Sequence, residues 1–162
     1  MGKFLIVKGA SFAVNGMPFD NPDPDPSEED LMSTFQSNML NLGYGLTYQS
    51  GSLNSTASTT RIGCPYTAIL SSKTQIRFKL KSGFQIALAA KKTGGDYAST
   101  NADGTLNAHA ASWQWVTTTD EVIINLADYD QFGFNVRYSD NATSFSSNTL
   151  TEFFDYIKAV NV

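Results

Sequence analysis

The sequence is poor in the side chains on which most site chemistry rests. Its 162 residues include one cysteine, Cys64, and one histidine, His109. A single cysteine excludes an intramolecular disulfide and a thiolate cluster, and one histidine beside it leaves a transition metal without a donor set. The chain is therefore expected to fold without staple, metal or cofactor, as suits a reducing cytoplasm. Charge is scarce as well: 16% of residues are charged and the net charge is -4. A nucleic-acid binder needs a basic patch to replace counterions at phosphates, so that class is set aside. Long apolar runs are missing. Phe4 to Val7 is too short for a membrane span or signal peptide, so a soluble, unprocessed chain that inserts into no membrane is expected. No Gly-x-Ser-x-Gly elbow places a nucleophile near His109, which reads as a loop histidine, and the expectation is a protein that is not an enzyme. Asp20, Asp23 and Asp25, and again Asp96, Asn101 and Asp103, form acidic groups without EF-hand spacing. They read as solvated turns and helix starts rather than calcium ligands.

What the sequence does have is serine and threonine, 17 and 16 residues, and strand-like alternation. In Thr74 to Lys81, Ile76, Phe78 and Leu80 fall on one side of an extended chain while Arg77, Lys79 and Lys81 fall on the other. With Phe84 to Leu88 following after Ser82-Gly83, this reads as a half-buried hairpin. The rhythm returns in Phe132, Phe134, Val136 and Tyr138, and in Val122, Ile124 and Leu126. Further strands are expected at Leu46 to Ser52, Ser58 to Cys64, Ser112 to Val116 and Tyr156 to Val160, with a helical turn within Leu150 to Asp155. Eight or nine short strands predict an all-β, jelly-roll-like antiparallel sandwich. Lys91 to Ala111 reads as a long loop.

The first 43 residues read differently. A strand over Lys3 to Val14 precedes Asp20-Asn21-Pro22-Asp23-Pro24-Asp25-Pro26, whose prolines favour a stiff, extended arm. Ser27 then resembles an N-cap with Glu28, Glu29 and Asp30 in the first helical turn, and Leu31, Phe35, Met39 and Leu42 follow at helical spacing up to Gly43. The expected organisation is thus an N-terminal part, 1–43, with strand, arm and one short helix, and a sandwich module, 44–162. On that division the sandwich folds without residues 17–42.

Five segments carry a resemblance: Tyr48-Gln49-Ser50-Gly51-Ser52-Leu53-Asn54-Ser55, Ser58-Thr59-Thr60-Arg61-Ile62, Gly83-Phe84-Gln85-Ile86, Ser112-Trp113-Gln114 and Phe134-Asn135-Val136-Arg137-Tyr138-Ser139-Asp140-Asn141. In this order they resemble a β-sandwich module in structural proteins of phages and prophages of gut Bacteroides-type bacteria, including crAss-like phages. The opening Leu5 to Phe12 is similar to the start of many proteins that carry it. The chain departs from the pattern at Gly63-Cys64-Pro65, where a polar basic stretch is usual, and in a longer loop over Asn101 to Ala111. The resemblance implies a virion component assembled in the bacterial cytoplasm, a capsid-decoration, head-fibre or tail-type protein. It implies as partners other virion proteins and further copies of the chain, such as a trimer. No catalytic residue is transferred.

Two sets of residues are candidates for contacts. Trp113 and Trp115, two apart, share one face of an extended segment. Exposed, they would stack sugars such as host surface glycans; buried, they would anchor the core, which is the preferred reading. Tyr97 beside Gly94-Gly95 is a more exposed alternative. For assembly, the arm residues Asp23 and Asp25, the helix residues Leu31, Phe35 and Met39, and the crowded Phe153 and Phe154 are the candidates. Phe153, Phe154, Tyr156 and Ile157 cannot all face one core under a single period, which leaves some of them for another subunit; the alternative for the helix is that it caps an open end of the sandwich.

Overall fold

The computed structural model describes residues 27–117 and 121–162. The expected strand at Lys3 to Val14, the Asp-Pro arm and its Asp23 and Asp25 lie outside the described residues. Eleven strands are described: β1 (Glu28–Asp30), β2 (Tyr44–Gln49), β3 (Ser52–Ala57), β4 (Ile62–Ala68), β5 (Gln75–Leu80), β6 (Phe84–Lys91), β7 (Tyr97–Thr100), β8 (Leu106–Ala108), β9 (Val122–Asn125), β10 (Gln131–Tyr138) and β11 (Phe154–Val160). One helix, α1 (Met32–Gln36), follows β1, and a single 3-10 turn over Leu150–Glu152 precedes β11.

The strands form a four-stranded sheet in the order β1-β11-β5-β9, a five-stranded sheet in the order β4-β10-β6-β7-β8, and a separate β2-β3 hairpin. Every pairing is antiparallel. With the hairpin and β8 set aside, the first strand pairs with the last (β1 with β11), the second with the penultimate (β4 with β10), then β5 with β9 and β6 with β7. This is a long antiparallel ribbon rolled on itself, and rolling adds the β11–β5 and β10–β6 ladders. The fold is the all-β, jelly-roll-like sandwich that the alternation predicts.

The alternation is obeyed on the inner faces. Ile76, Phe78 and Leu80 of β5, Val122 and Ile124 of β9, and Phe132, Phe134 and Val136 of β10 are buried between the sheets. Phe35, Phe78 and Phe134 pack edge-on or tilted, at centroid distances of 5.7 Å from Phe35 to each of the others, and Phe154 reaches Phe134 at 5.4 Å. These separations lie in the favourable range for aromatic pairs.

Several expectations are corrected. β5 and β6 are not a hairpin: they lie in opposite sheets, and Ser82-Gly83 carries the chain across the sandwich. The peptide N–H of Lys81 is instead taken by Phe153 O at 2.8 Å. Glu28, Glu29 and Asp30 do not begin a helix. They pair with Val160, Ala159 and Lys158 at the sheet edge, where Lys158 Nζ lies 2.6 Å from Glu28 Oε1. The helix is one turn and a half, starting after Leu31, with Asp30 Oδ1 accepting the Met32 N–H at 2.9 Å. Of the expected strand over Ser112 to Val116, a single bridge from Val116 to Ile86 forms. The expected long loop contains β7 and β8.

The proposed assembly residues of the helix and C-terminus are used internally. Leu31, Phe35, Phe153 and Phe154 are all buried in the chain's own core, and Met39 packs against it. Phe153 and Phe154 are both accommodated because Phe153 ends the 3-10 turn, packing on Phe84 and Phe145, while a register shift between Phe154 and Tyr156 resets the alternation. The boundary at residue 43 therefore moves: β1 and α1 belong to the sandwich. Removing residues 17–42 would strip an edge strand and two core side chains. Accordingly, Phe35→Ala is expected to cost about 3–5 kcal/mol in urea unfolding followed by circular dichroism. A loss under about 1 kcal/mol would contradict its place in the core.

Candidate functional site

On strand β10 the residues that alternate with the core side chains, Gly133, Asn135 and Arg137, point to the outer face of the five-stranded sheet. Gly133 and Asn135 are nevertheless buried, because the β2–β3 hairpin lies over them. Asn135 Oδ1 accepts the Leu46 N–H at 2.8 Å and its Nδ2 donates to Leu46 O at 2.6 Å, so one side-chain amide satisfies both backbone groups of a buried residue. At Gly133 a Cβ would collide with Leu53 Cδ1 and lie 3.0 Å from Cys64 O; only glycine lets the hairpin sit this close.

The tip of the hairpin is held by three tyrosines. Tyr66 donates its hydroxyl to Gly51 O at 3.1 Å and Tyr48 donates to Ala110 O at 3.0 Å. The Tyr97 ring lies directly against Gly51, where a Cβ would come within 2.6 Å of Tyr97 Cγ. Burial pushes the phenols of Tyr48 and Tyr66 above the ordinary tyrosine range. Burial also pushes the Cys64 thiol up to about 12, so it is a neutral core group and not a nucleophile near neutral pH.

Beyond the hairpin the same face continues into an aromatic and cationic row. Residues 112–116 run alongside the sheet, with the Gln114 N–H on Thr100 O at 2.8 Å and the Val116 N–H on Ile86 O at 2.7 Å. Val116 is in the core, so Trp113 and Trp115 turn outward. Both are half-buried. Trp113 stacks on Tyr48 with centroids 5.5 Å apart and planes at 21°. Trp115 receives two guanidiniums: the Arg137 Cζ lies 4.1 Å from its ring centroid and the Arg61 Cζ 5.7 Å. Arg137 Nε donates to Oε1 of the buried Gln85 at 2.6 Å, which fixes the guanidinium over the ring. Desolvation first, and the neighbouring Arg61 second, lower the pKa of Arg137 from its ordinary value.

Of the three expected ligand residues, the structure brings Trp113 and Trp115 to one outer face. The expectation of core packing is thus replaced by a half-buried surface row. Tyr97 lies on the same sheet face but is engaged, pressed on Gly51 and edge-on to His109 at 5.2 Å. His109 has a left-handed backbone, φ 57°, and its Nε2 is 3.3 Å from the exposed Asp96 Oδ1. Sequence reasoning missed Tyr48, Arg61, Gln85 and Arg137. The alternation in β10 already placed Arg137 outward, but nothing in the spacing joined it to Arg61. The five segments set out in the sequence analysis each contribute a residue here: Tyr48, Arg61, Gln85, Trp113, and Asn135 with Arg137.

No protein-family model, curated protein or solved structure matches the chain.

Asn135→Ala is expected to leave the buried Leu46 N–H and carbonyl unpaired and to cost about 1–3 kcal/mol. Hydrogen exchange should show the Leu46 amide losing protection before the β10–β6 ladder; simultaneous loss would mean that Asn135 holds the whole sheet. A pH effect follows from Tyr66. Its neutral form is favoured in the folded chain, so above about pH 10 the unfolded chain loses its proton first and stability falls as pH rises. Tyr66→Phe should therefore show a smaller drop in melting temperature between neutral and strongly alkaline pH than the parent. An equal drop would refute the assignment.

Proposed function

We propose that the chain is a non-enzymatic structural component of a phage virion, of the capsid-decoration or head-fibre type, which acts by binding. The observation that supports this reading is that each of the five segments resembling the phage module places one or two residues on the same outer face of a jelly roll. The architecture itself serves viral capsid and lectin domains alike, so it supports the reading without selecting it. On this reading the Asp-Pro arm, with Asp23 and Asp25, is the attachment element. Its root is at β1, the outermost strand of the four-stranded sheet, and among the described strands only β11 pairs with β1. An unpaired strand edge is a ready template for another chain. The tryptophan-bearing face would then point away from the particle. On this reading copies of the chain assemble as a symmetric homo-oligomer, such as a trimer.

The second reading, a glycan-binding module, is favoured by the half-buried Trp113 and Trp115 on that face. The deciding experiment is antibody labelling, in electron microscopy, of particles released from the source bacterium, paired with light scattering on the purified chain. Labelled virions and a trimer or larger ring are expected. Unlabelled virions would overturn the virion reading, and a stable monomer would overturn the oligomeric part.

A further inference from the structure

Two of the chain's three arginines meet on a single tryptophan. Among the described residues they do so without an acidic partner, although acidic residues outnumber basic ones in the sequence, 15 to 11. The third arginine, Arg77, has Glu121 at 3.3 Å. Among the described residues, the nitrogens of Arg61 and both Nη groups of Arg137 have no hydrogen-bond or carboxylate partner. Nor are these nitrogens sealed from solvent: the one buried side-chain polar atom without a partner among the described residues is Arg77 Nε. Two like charges held beside one ring repel each other, an arrangement that a bound anion relieves.

The surroundings decide the kind of anion. A guanidinium fixed by Gln85 and lying on Trp115 keeps its planar outer edge for bidentate pairing with a carboxylate. Trp113 is two residues away on the same side, about 7 Å along an extended chain, the scale of one sugar ring, and the part of its half-buried ring that Tyr48 does not cover is an apolar surface for pyranose C–H groups. A net charge of -4 gives the chain no long-range attraction for a polyanion, so recognition is by contact rather than steering. We propose that Arg61, Arg137, Trp115 and Trp113 form a binding site for a carboxylated sugar residue within a glycan, with the carboxylate on the guanidiniums and the ring against Trp113. This deepens the glycan-binding reading and rests on it, and it is independent of whether the chain belongs to a virion.

The test is titration of the full chain, followed by tryptophan fluorescence and calorimetry, with tetragalacturonate, a hyaluronan tetrasaccharide and an α2,8-linked sialic acid trimer. Methyl-esterified tetragalacturonate and sodium sulfate serve as comparisons. At least one acidic oligosaccharide should bind, perturb the fluorescence and weaken with added salt. Loss of the charge-assisted pairing should weaken binding about tenfold or more, whether by Arg61→Gln, by Arg137→Gln or by esterification of a galacturonate ligand. Arg61 makes no hydrogen bond within the described fold, so its variant keeps the test valid should Arg137→Gln disturb Gln85. Absence of binding by all three acids at millimolar concentration would overturn the proposal, as would arginine variants that bind like the parent. Equal binding of the ester would overturn the acidic class while leaving a neutral glycan site standing. Sulfate binding as tight as that of the acids would reduce the site to a simple anion site and overturn the sugar assignment.

Discussion

Strand β10 is covered on both faces, and the arrangement of the outer surface depends on how the second face is closed. Toward the core it presents Phe132, Phe134 and Val136, each fully buried and each contributing about 1.5–3 kcal/mol by removal from water. Toward the outside it presents Gly133 and Asn135, a combination that would be costly if left dry and unpaired. The hairpin resolves this by laying Leu53 over the missing side chain of Gly133 and the backbone of Leu46 on the Asn135 amide. Once the hairpin is fixed there, Tyr48 follows, and Trp113 stacks upon it. Arg137, the next outward residue of the same strand, lies just past the covered stretch and meets Trp115. A structural contact in the middle of one strand thus sets the position of a surface row at its end.

The rolled ribbon also explains why the N-terminal segment cannot be treated as an appendage. β1 closes the four-stranded sheet against the last strand, and the Leu31 N–H is taken by Ile157 O at 2.8 Å before α1 delivers Phe35 to the centre of the aromatic cluster. The first described strand and the last are therefore joined in one ladder. An attachment arm rooted at this point would transmit load into the sheet rather than into a loose linker, because any pull on Glu28 is borne by the β1–β11 register.

Much of the fold is legible in the residues because alternation is a local property. β5, β9 and β10 bury the side chains that their period-two pattern assigns to the core. What alternation does not encode is which sheet a strand joins: Ser82-Gly83 suits a hairpin and a crossover alike, and the choice is made by the distant ladders β5–β11 and β6–β10. Glu28, Glu29 and Asp30 suit a helix start electrostatically, yet edge pairing with β11 and the Lys158–Glu28 contact prevail. For the candidate site, the shared face of Trp113 and Trp115 was readable from their spacing. Their half-burial was not, since it arises from Tyr48, Arg61 and Arg137, brought in from other strands by the topology.

The two outer faces of the sandwich use similar side chains to opposite effect. On the four-stranded sheet Arg77 and the Tyr156 hydroxyl share Glu121, and Lys158, 4.4 Å from the Tyr156 ring centroid, is neutralised by Glu28. Desolvation, followed by the hydrogen bond to Glu121, pushes the Tyr156 phenol up to about 12, as expected of a proton held between oxygen atoms in a closed network. On the five-stranded sheet an equally close union of cation and ring is built from Arg137, Arg61 and Trp115, with a neutral glutamine in place of the acid. A glutamine can fix a guanidinium in orientation but leaves its charge uncompensated. The first arrangement pairs each of its charges with an opposite one; the second leaves its guanidinium charge without a carboxylate among the described residues, and that difference is what the proposed ligand site rests on.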